Sequence, residues 1–276
     1  MEPNGHVRPT SLHSRLRYFL YQLAGVRREL VLSQHYNGLH GFWIIRREAA
    51  LLRRNRRRFS AVADPAKIVW VRPQSITSKL NYDLDLIFND IRPGDWDIER
   101  RADLENVAKH RSIAQRFVQG LEWKDTEIFR RHYARRFGKG DTIRGALNPE
   151  DLAQKYSKEI DALFEAMRKD GFVMTRDDNG HLHSLPHLHI GRTGELILGN
   201  NGNHRVAIAK VLDIERIPCW VRSRHSLWQE VRENVARSIT GKQEAPLDAR
   251  LTDHPDLADI LRSDAKANTA LGSADS

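Results

Sequence analysis

Apolar residues at Leu12, Leu16, Phe19, Leu20, Leu23, Val26 and Leu30 recur at helical spacing, which predicts a first helix of about five turns. A second helix is expected over residues 42–59, behind His40-Gly41, and the two together read as a hairpin. Asp64-Pro65 breaks that pattern, and Ile68-Val69-Trp70-Val71 reads as a strand closed by Pro73, with a turn or short helix from Ile76. Helical stretches are expected over 103–119 and 125–137. A longer one begins at Asn148-Pro149, an N-cap followed by proline at the first helical position. Its apolar face is Leu152, Tyr156, Ile160, Leu163, Phe164 and Met167, and Asp170-Gly171 stops it. Leu188 and Ile190, a turn over 191–194, and Leu196 and Leu198 form a hairpin pattern. A Gly/Asn loop over 199–203 leads into a helix over 204–212. A strand over 217–221 follows, then a helix with Ser226 as its cap and Gln229 completing a capping box. The last dozen residues, rich in Ala, Ser and Asp, read as a disordered tail.

These elements predict an α+β fold in three parts. Residues 1–62 form a basic helical region, and residues 63–240 a small mixed sheet with helices and a helical insertion at about 81–145. Residues 241–276 hold a C-terminal helix and tail. A chain of 276 residues with 40% hydrophobic composition can bury a real core. No apolar run reaches the ~20 residues that a membrane-spanning helix needs. The first apolar residues are mixed with His and Arg, unlike a signal peptide, so a cytoplasmic address is expected. The single cysteine, Cys219, lies in an apolar run and reads as a buried, inert thiol. A net charge of +9 favours polyanionic partners: nucleotides, nucleic acid or an anionic membrane surface.

The most informative stretch is Gly199-Asn200-Asn201-Gly202-Asn203-His204-Arg205-Val206-Ala207-Ile208-Ala209-Lys210. Glycine and asparagine tolerate positive φ and so permit a sharp turn. The first turn of the following helix leaves free N–H groups, and the helix dipole adds partial positive charge there. His204 and Arg205 place a donor and a fixed cation at that point, and an arginine can grip a phosphate through two parallel bonds. Phosphate binding is therefore expected at Asn201, Gly202, Asn203, His204 and Arg205.

A strand, Gly-Asn-His-Arg at 202–205, an Ala-rich helix and then Ile217-Pro218 together resemble the ParB/sulfiredoxin superfamily. The strand from Ile68 to Val71, with Pro73 and Ile76 after it, resembles that family's opening strand and turn. The resemblance covers roughly 66–78 and 150–225. It implies a nucleotide ligand, ATP, ADP or CTP, better than any one reaction, with an NTPase or small-molecule kinase as the leading expectation. Asn203 stands where sulfiredoxins need a cysteine, which argues against sulfinic acid reduction. Asn201 stands where other members carry an aspartate, which removes a general base.

Other residues offer chemistry of their own. Asp95 and Asp97, flanking Trp96, are candidate catalytic carboxylates that could hold Mg²⁺, with His204 as a third catalytic candidate; Glu122, Trp123 and Asp125 invite the same reading. Arg222, Arg224 and His225 follow the last strand, where α/β-type sites collect, and are candidates for supporting anion binding. His181, His183, His187 and His189 are spaced as zinc ligands can be, yet lack an obvious completing Cys or acid, so no metal is assigned. Seven arginines lie between Arg46 and Arg58, suited to a nucleic-acid backbone or anionic lipid. A nucleotide-binding enzyme, a ParB-like nucleic-acid-binding accessory protein and a catalytically silent scaffold are the three functional classes consistent with these residues.

Overall fold

The computed structural model describes residues 38–65, 67–80, 90–99, 101–176, 182–183, 185–241 and 248–261. The helix expected near residues 12–30 and the C-terminal tail lie outside them, as do Asp177, Asp178 and His181. The described chain runs through α1 (Gly38–Arg58), β1 (Ile68–Val71), β2 (Ser78–Leu80), β3 (Asp90–Arg92), α2 (Trp96–Glu99), β4 (Arg101–Asp103), α3 (Ala108–Phe117) and α4 (Ala134–Phe137). It continues through α5 (Pro149–Tyr156), α6 (Ala162–Asp170), β5 (Thr175–Arg176), β6 (Leu182–His183), β7 (His187–Ile190), β8 (Leu196–Leu198), α7 (Asn203–Val211), β9 (Ile217–His225), α8 (Ser226–Ile239) and α9 (Ala249–Thr252). The fold is α+β, built on one mixed sheet. No helix among the described residues is long and apolar enough to cross a membrane.

β9 is the spine of that sheet. It pairs in parallel with β7 on one edge, while β1 (antiparallel) and β3 (parallel) follow one another along the other edge. β7 and β8 form the antiparallel hairpin expected from their alternation; β8 then pairs in parallel with β2, and β2 antiparallel with β4. All nine residues of β9 are buried. The apolar run predicts a strand that ends at residue 221. β9 continues through four polar residues that find partners inside. Arg224 donates to the Asp256 carboxylate at 2.9 Å and 2.5 Å, and the His225 Nε2 lies 2.8 Å from the Gly94 carbonyl oxygen. A register shift between β7 and β9 leaves Arg222 as an extra, bulged residue.

β3 and β4 pair into the main sheet, and α3 packs along α7. Three-residue strands are too short for alternation to reveal, so only the helices of this segment are legible in its hydrophobic pattern. The long helical stretch after Asn148 is as expected: the Asn148 side chain accepts from the Asp151 N–H at 2.8 Å, and Gly171, at φ +75°, ends α6. Its course is interrupted by a wide π turn at Ser157–Asp161. The α8 cap differs from the expectation. His225, not Ser226, is the N-cap, and its ring nitrogen accepts from the Leu227 N–H.

The core runs between the sheet and the helices over it. Leu188, Leu198, Ile217 and Cys219 from the strands meet Val206 and Ile208 from α7, Ile113 from α3, and Leu152 and Tyr156 from α5. Ala207 and Ala209, both buried, keep α7 slim enough to lie close to its neighbours. Cys219 is fully buried, and burial pushes its thiol far above the usual range, which fits the inert role expected of it.

Candidate functional site

The turn between β8 and α7 is constrained on every side. Gly202 sits at φ +82°, the left-handed region, and a Cβ there would stand 2.5 Å from Pro186 Cα. Glycine is therefore required both by conformation and by space. The Asn203 amide donates to the Asn200 carbonyl oxygen at 2.7 Å and to Gly199 at 3.4 Å, closing the loop on itself. The Asn201 amide donates to the Leu185 carbonyl oxygen at 3.0 Å, and the Asn201 carbonyl accepts from the His187 N–H. Two of the asparagines expected to touch phosphate thus spend their amides shaping the turn.

What the turn borders is a hollow of about 420 Å³, lined by Asn200 to Arg205, Lys109, Arg144, Glu159, Ile160 and Leu163. The expected phosphate-binding residues Asn201, Gly202, Asn203, His204 and Arg205 all line it. Lys109 and Arg144 come from the segment whose organisation the sequence left unread. Lys109 is placed by α3, which packs along α7 and so carries its second residue toward the start of that helix. Arg144 comes from the loop before α5 and is one of two non-glycine residues at positive φ among those described. Glu159 and Ile160 are delivered by the π turn. Asp161, in the same turn, takes 2.7 Å and 2.8 Å bonds from Arg116 and from the Trp123 indole, which fixes the turn against α3 and fastens Trp123 in the core.

The electrostatics are one-sided. Arg144 pairs with Glu159 at 2.5 Å, and Glu159 is the only carboxylate among the lining residues described. Lys109 pairs with no carboxylate among the described residues. Burial, followed by the like charges of Lys79 and Arg144, holds its ammonium below the usual lysine range. Burial also lowers Arg205. Lys79 stands at the rim, donating to the Asn200 side-chain oxygen at 3.0 Å. Burial, with Lys109, Arg144, His110 and Arg205 around it, holds His204 well below 6.5, so its imidazole is neutral. His204 also packs edge-on against Tyr156 at 5.6 Å between centroids. The Oδ1 of Asn203, itself 6% exposed, the Nε2 of His204 and the Nε2 of nearby His110 are buried and meet no partner among the described residues. Lys109, with no carboxylate partner among the described residues, stands here beside Arg144 and Arg205, which suits an anion; the His204 Nε2 can donate to one in its Nε2–H tautomer, whereas the Asn203 Oδ1, an acceptor, cannot.

The remaining candidates are elsewhere. Arg192 holds Asp95 at 2.7 Å and Asp97 at 2.7 Å and 3.0 Å, and the Arg192 N–H adds a 2.8 Å bond to Asp97. Burial alone would raise Asp97, but these bonds hold it below the usual carboxylate range. Both carboxylates clamp the turn end of the β7–β8 hairpin, whereas the hollow adjoins its open end, so the structure does not bring them to His204. Arg222, Arg224 and His225 also stand away from the hollow. β8 runs opposite to β7 and β9, so the helix that follows β8 starts at the amino end of β9, not at its carboxyl end. This inverts the geometry expected for an all-parallel α/β site. His187 and His189 are buried strand residues. His189 shares a 2.6 Å hydrogen bond with the Ser223 hydroxyl, and neither histidine lines the hollow. Among the described residues no group of three or more His, Cys, Asp or Glu is placed to hold a metal ion.

Comparison with protein-family models, with curated proteins and with solved structures returned no match, so the site is read from its own geometry.

Proposed function

We propose that the hollow at the start of α7 binds the phosphates of a nucleotide, with ATP, ADP or CTP as the candidate ligands and Mg²⁺ as the counter-ion of a triphosphate. The observation that carries this reading is the convergence of Lys109, Arg144 and Arg205 on the amino end of one helix, with Glu159 as the sole lining carboxylate among the described residues. Its volume of about 420 Å³ lies within the ~300–1,000 Å³ range of small-molecule sites. The left-handed glycine at 202 turns the chain so that the free N–H groups of α7 and the dipole act on the same space. The resemblance of Gly202 to Arg205 to the ParB/sulfiredoxin phosphate turn supports the same ligand class.

In this reading Arg205 and Lys109 neutralise phosphate charge, and Arg144 exchanges or shares its bond to Glu159 when the ligand enters. Neutral His204 is suited to hydrogen-bond a group beside the phosphates rather than to take its proton, because burial and the surrounding cations hold its basicity down. Hydrolysis or transfer to a small acceptor is the corresponding activity. Asp95 and Asp97 take no part, since Arg192 already occupies them. Calorimetric titration of the full chain with ATP, ADP and CTP, with and without Mg²⁺, tests the assignment. Saturable binding that Arg205→Ala abolishes is expected. Absence of binding by the wild-type chain to all three nucleotides would overturn it.

A further inference from the structure

α1 carries a second cationic surface, separate from the hollow. At 100° per residue, Arg46, Arg47, Arg53, Arg54, Arg57 and Arg58 fall within about 140° of one helix face. All six are exposed, whereas Ala49, Leu52 and Asn55, on the opposite side, are buried. Arg53, Arg54, Arg56, Arg57 and Arg58 form no ion pair with a carboxylate among the described residues; Arg58 instead lies 5.0 Å over the Phe59 ring. Between Arg53 and Arg58 the surface dips into a shallow hollow floored by Ala50. Just beyond the helix, the Ser60 and Ala61 N–H groups donate to Glu233, and Gln229 and Arg232 donate to the Ala61 carbonyl, so α1 is anchored to α8 at its basic end.

We infer that this face of α1 docks the phosphate backbone of a double-stranded nucleic acid, without reading its sequence. The charge is complementary, and arginine forks match phosphate oxygens in pairs. From Arg46 to Arg58 the helix spans about 18 Å, enough to meet several phosphates of a duplex that carries one charge per ~1.7 Å of axis. An anionic membrane is the poorer fit. A helix that lies in a bilayer surface needs an exposed apolar face to insert, and among the described side chains of α1 the one exposed apolar residue is the small Ala50, on the arginine face itself. Single strands are also disfavoured, because no aromatic side chain lies between Arg46 and Arg58 on which bases could stack.

The test is fluorescence anisotropy of a labelled 20-base-pair duplex of mixed sequence against the full chain, from 50 to 200 mM salt. With a slope of about −0.9 per neutralised phosphate, Arg53, Arg54, Arg57 and Arg58 together account for about a 150-fold loss of affinity across that range. Replacing all four by glutamine, which keeps helix propensity, is expected to remove that salt dependence, while replacing them by lysine keeps most of it. Should the fourfold glutamine variant fail to fold, the Arg53→Gln/Arg57→Gln pair reads half the slope. Arg205→Ala is expected to leave duplex binding unchanged, so this inference and the nucleotide assignment fail or stand separately. No duplex binding at 50 mM salt, duplex binding that the glutamine variant retains, or capture by phosphatidylglycerol vesicles in place of the duplex would each overturn it.

Discussion

Gly202→Ala is the sharpest perturbation of the turn that creates the site. Two costs add. An alanine at φ +82° pays the left-handed penalty, about 1–2 kcal/mol. Its Cβ would also stand 2.5 Å from Pro186 Cα and 2.7 Å from Pro186 Cβ, against an ordinary carbon contact of about 3.5–4.0 Å. The nearest atom is backbone, so the loop or the residue before β7 must shift, at an overpacking cost of about 1–3 kcal/mol. The sum, about 2–5 kcal/mol, is a large share of a domain stability of about 5–15 kcal/mol. In urea, with a slope of about 3 kcal/mol/M, the midpoint should fall by about 0.7–1.7 M, and nucleotide binding should be lost even where the variant is folded. Gly202→Asn relieves only the conformational part, because asparagine tolerates the left-handed region but still brings a Cβ against Pro186. An alanine variant within about 0.5 kcal/mol of wild type would refute the account of this turn.

Two further outcomes follow from buried charge. Asp256 is fully buried and takes bonds from Arg224 and Trp228, with Arg232 3.2 Å away, so Asp256→Asn leaves the buried Arg224 without its carboxylate, while Arg232 keeps Asp259 at 2.8 Å. It should cost about 3–5 kcal/mol in urea unfolding, and a loss below about 1 kcal/mol would contradict the buried-pair reading. Burial lowers both His110 and His189 to about 3, below their unfolded value of about 6.5. Their contribution is therefore fully present above about pH 6.5 and lost as pH falls toward 3. It amounts to about 2 kcal/mol per histidine between pH 7.5 and pH 5. Urea midpoints at the two pH values should show the loss, and His110→Leu should remove its own share; a flat profile would contradict neutral buried imidazoles.

Much of the site could be read along the chain because its parts are local. The Gly/Asn turn, the apolar positions of α7, the Asn148 cap and the hairpin before the loop each declare themselves within a few residues. What could not be read is whatever depends on distant partners. Lys109 has no signature as a ligand, because only the packing of α3 on α7 carries it to the turn, and Arg144 is placed by a loop with a left-handed residue. Asp95 and Asp97 looked available because the sequence gives no hint that Arg192, across the hairpin turn, claims both. The candidates on β9 were misplaced for a topological reason. The direction of β8 relative to β9 decides which end of the sheet faces α7, and direction is not written in hydrophobic pattern.

The central claim is that Lys109 is set beside Arg144 and Arg205 with no carboxylate partner of its own among the described residues, so that an anion can complete it. Functional sites of this kind are held at the expense of stability, so Lys109→Met should separate the two. Thermal or urea unfolding of both proteins, with and without ATP at about 100 times its dissociation constant for wild type, reads the claim directly. Without ligand, Lys109→Met should be the more stable protein, by about 0.5–2 kcal/mol. With ATP, wild type should gain about 2.7 kcal/mol, the variant far less, and the order should reverse. A variant less stable than wild type in the absence of ATP, or equal stabilisation of both by ATP, would contradict it.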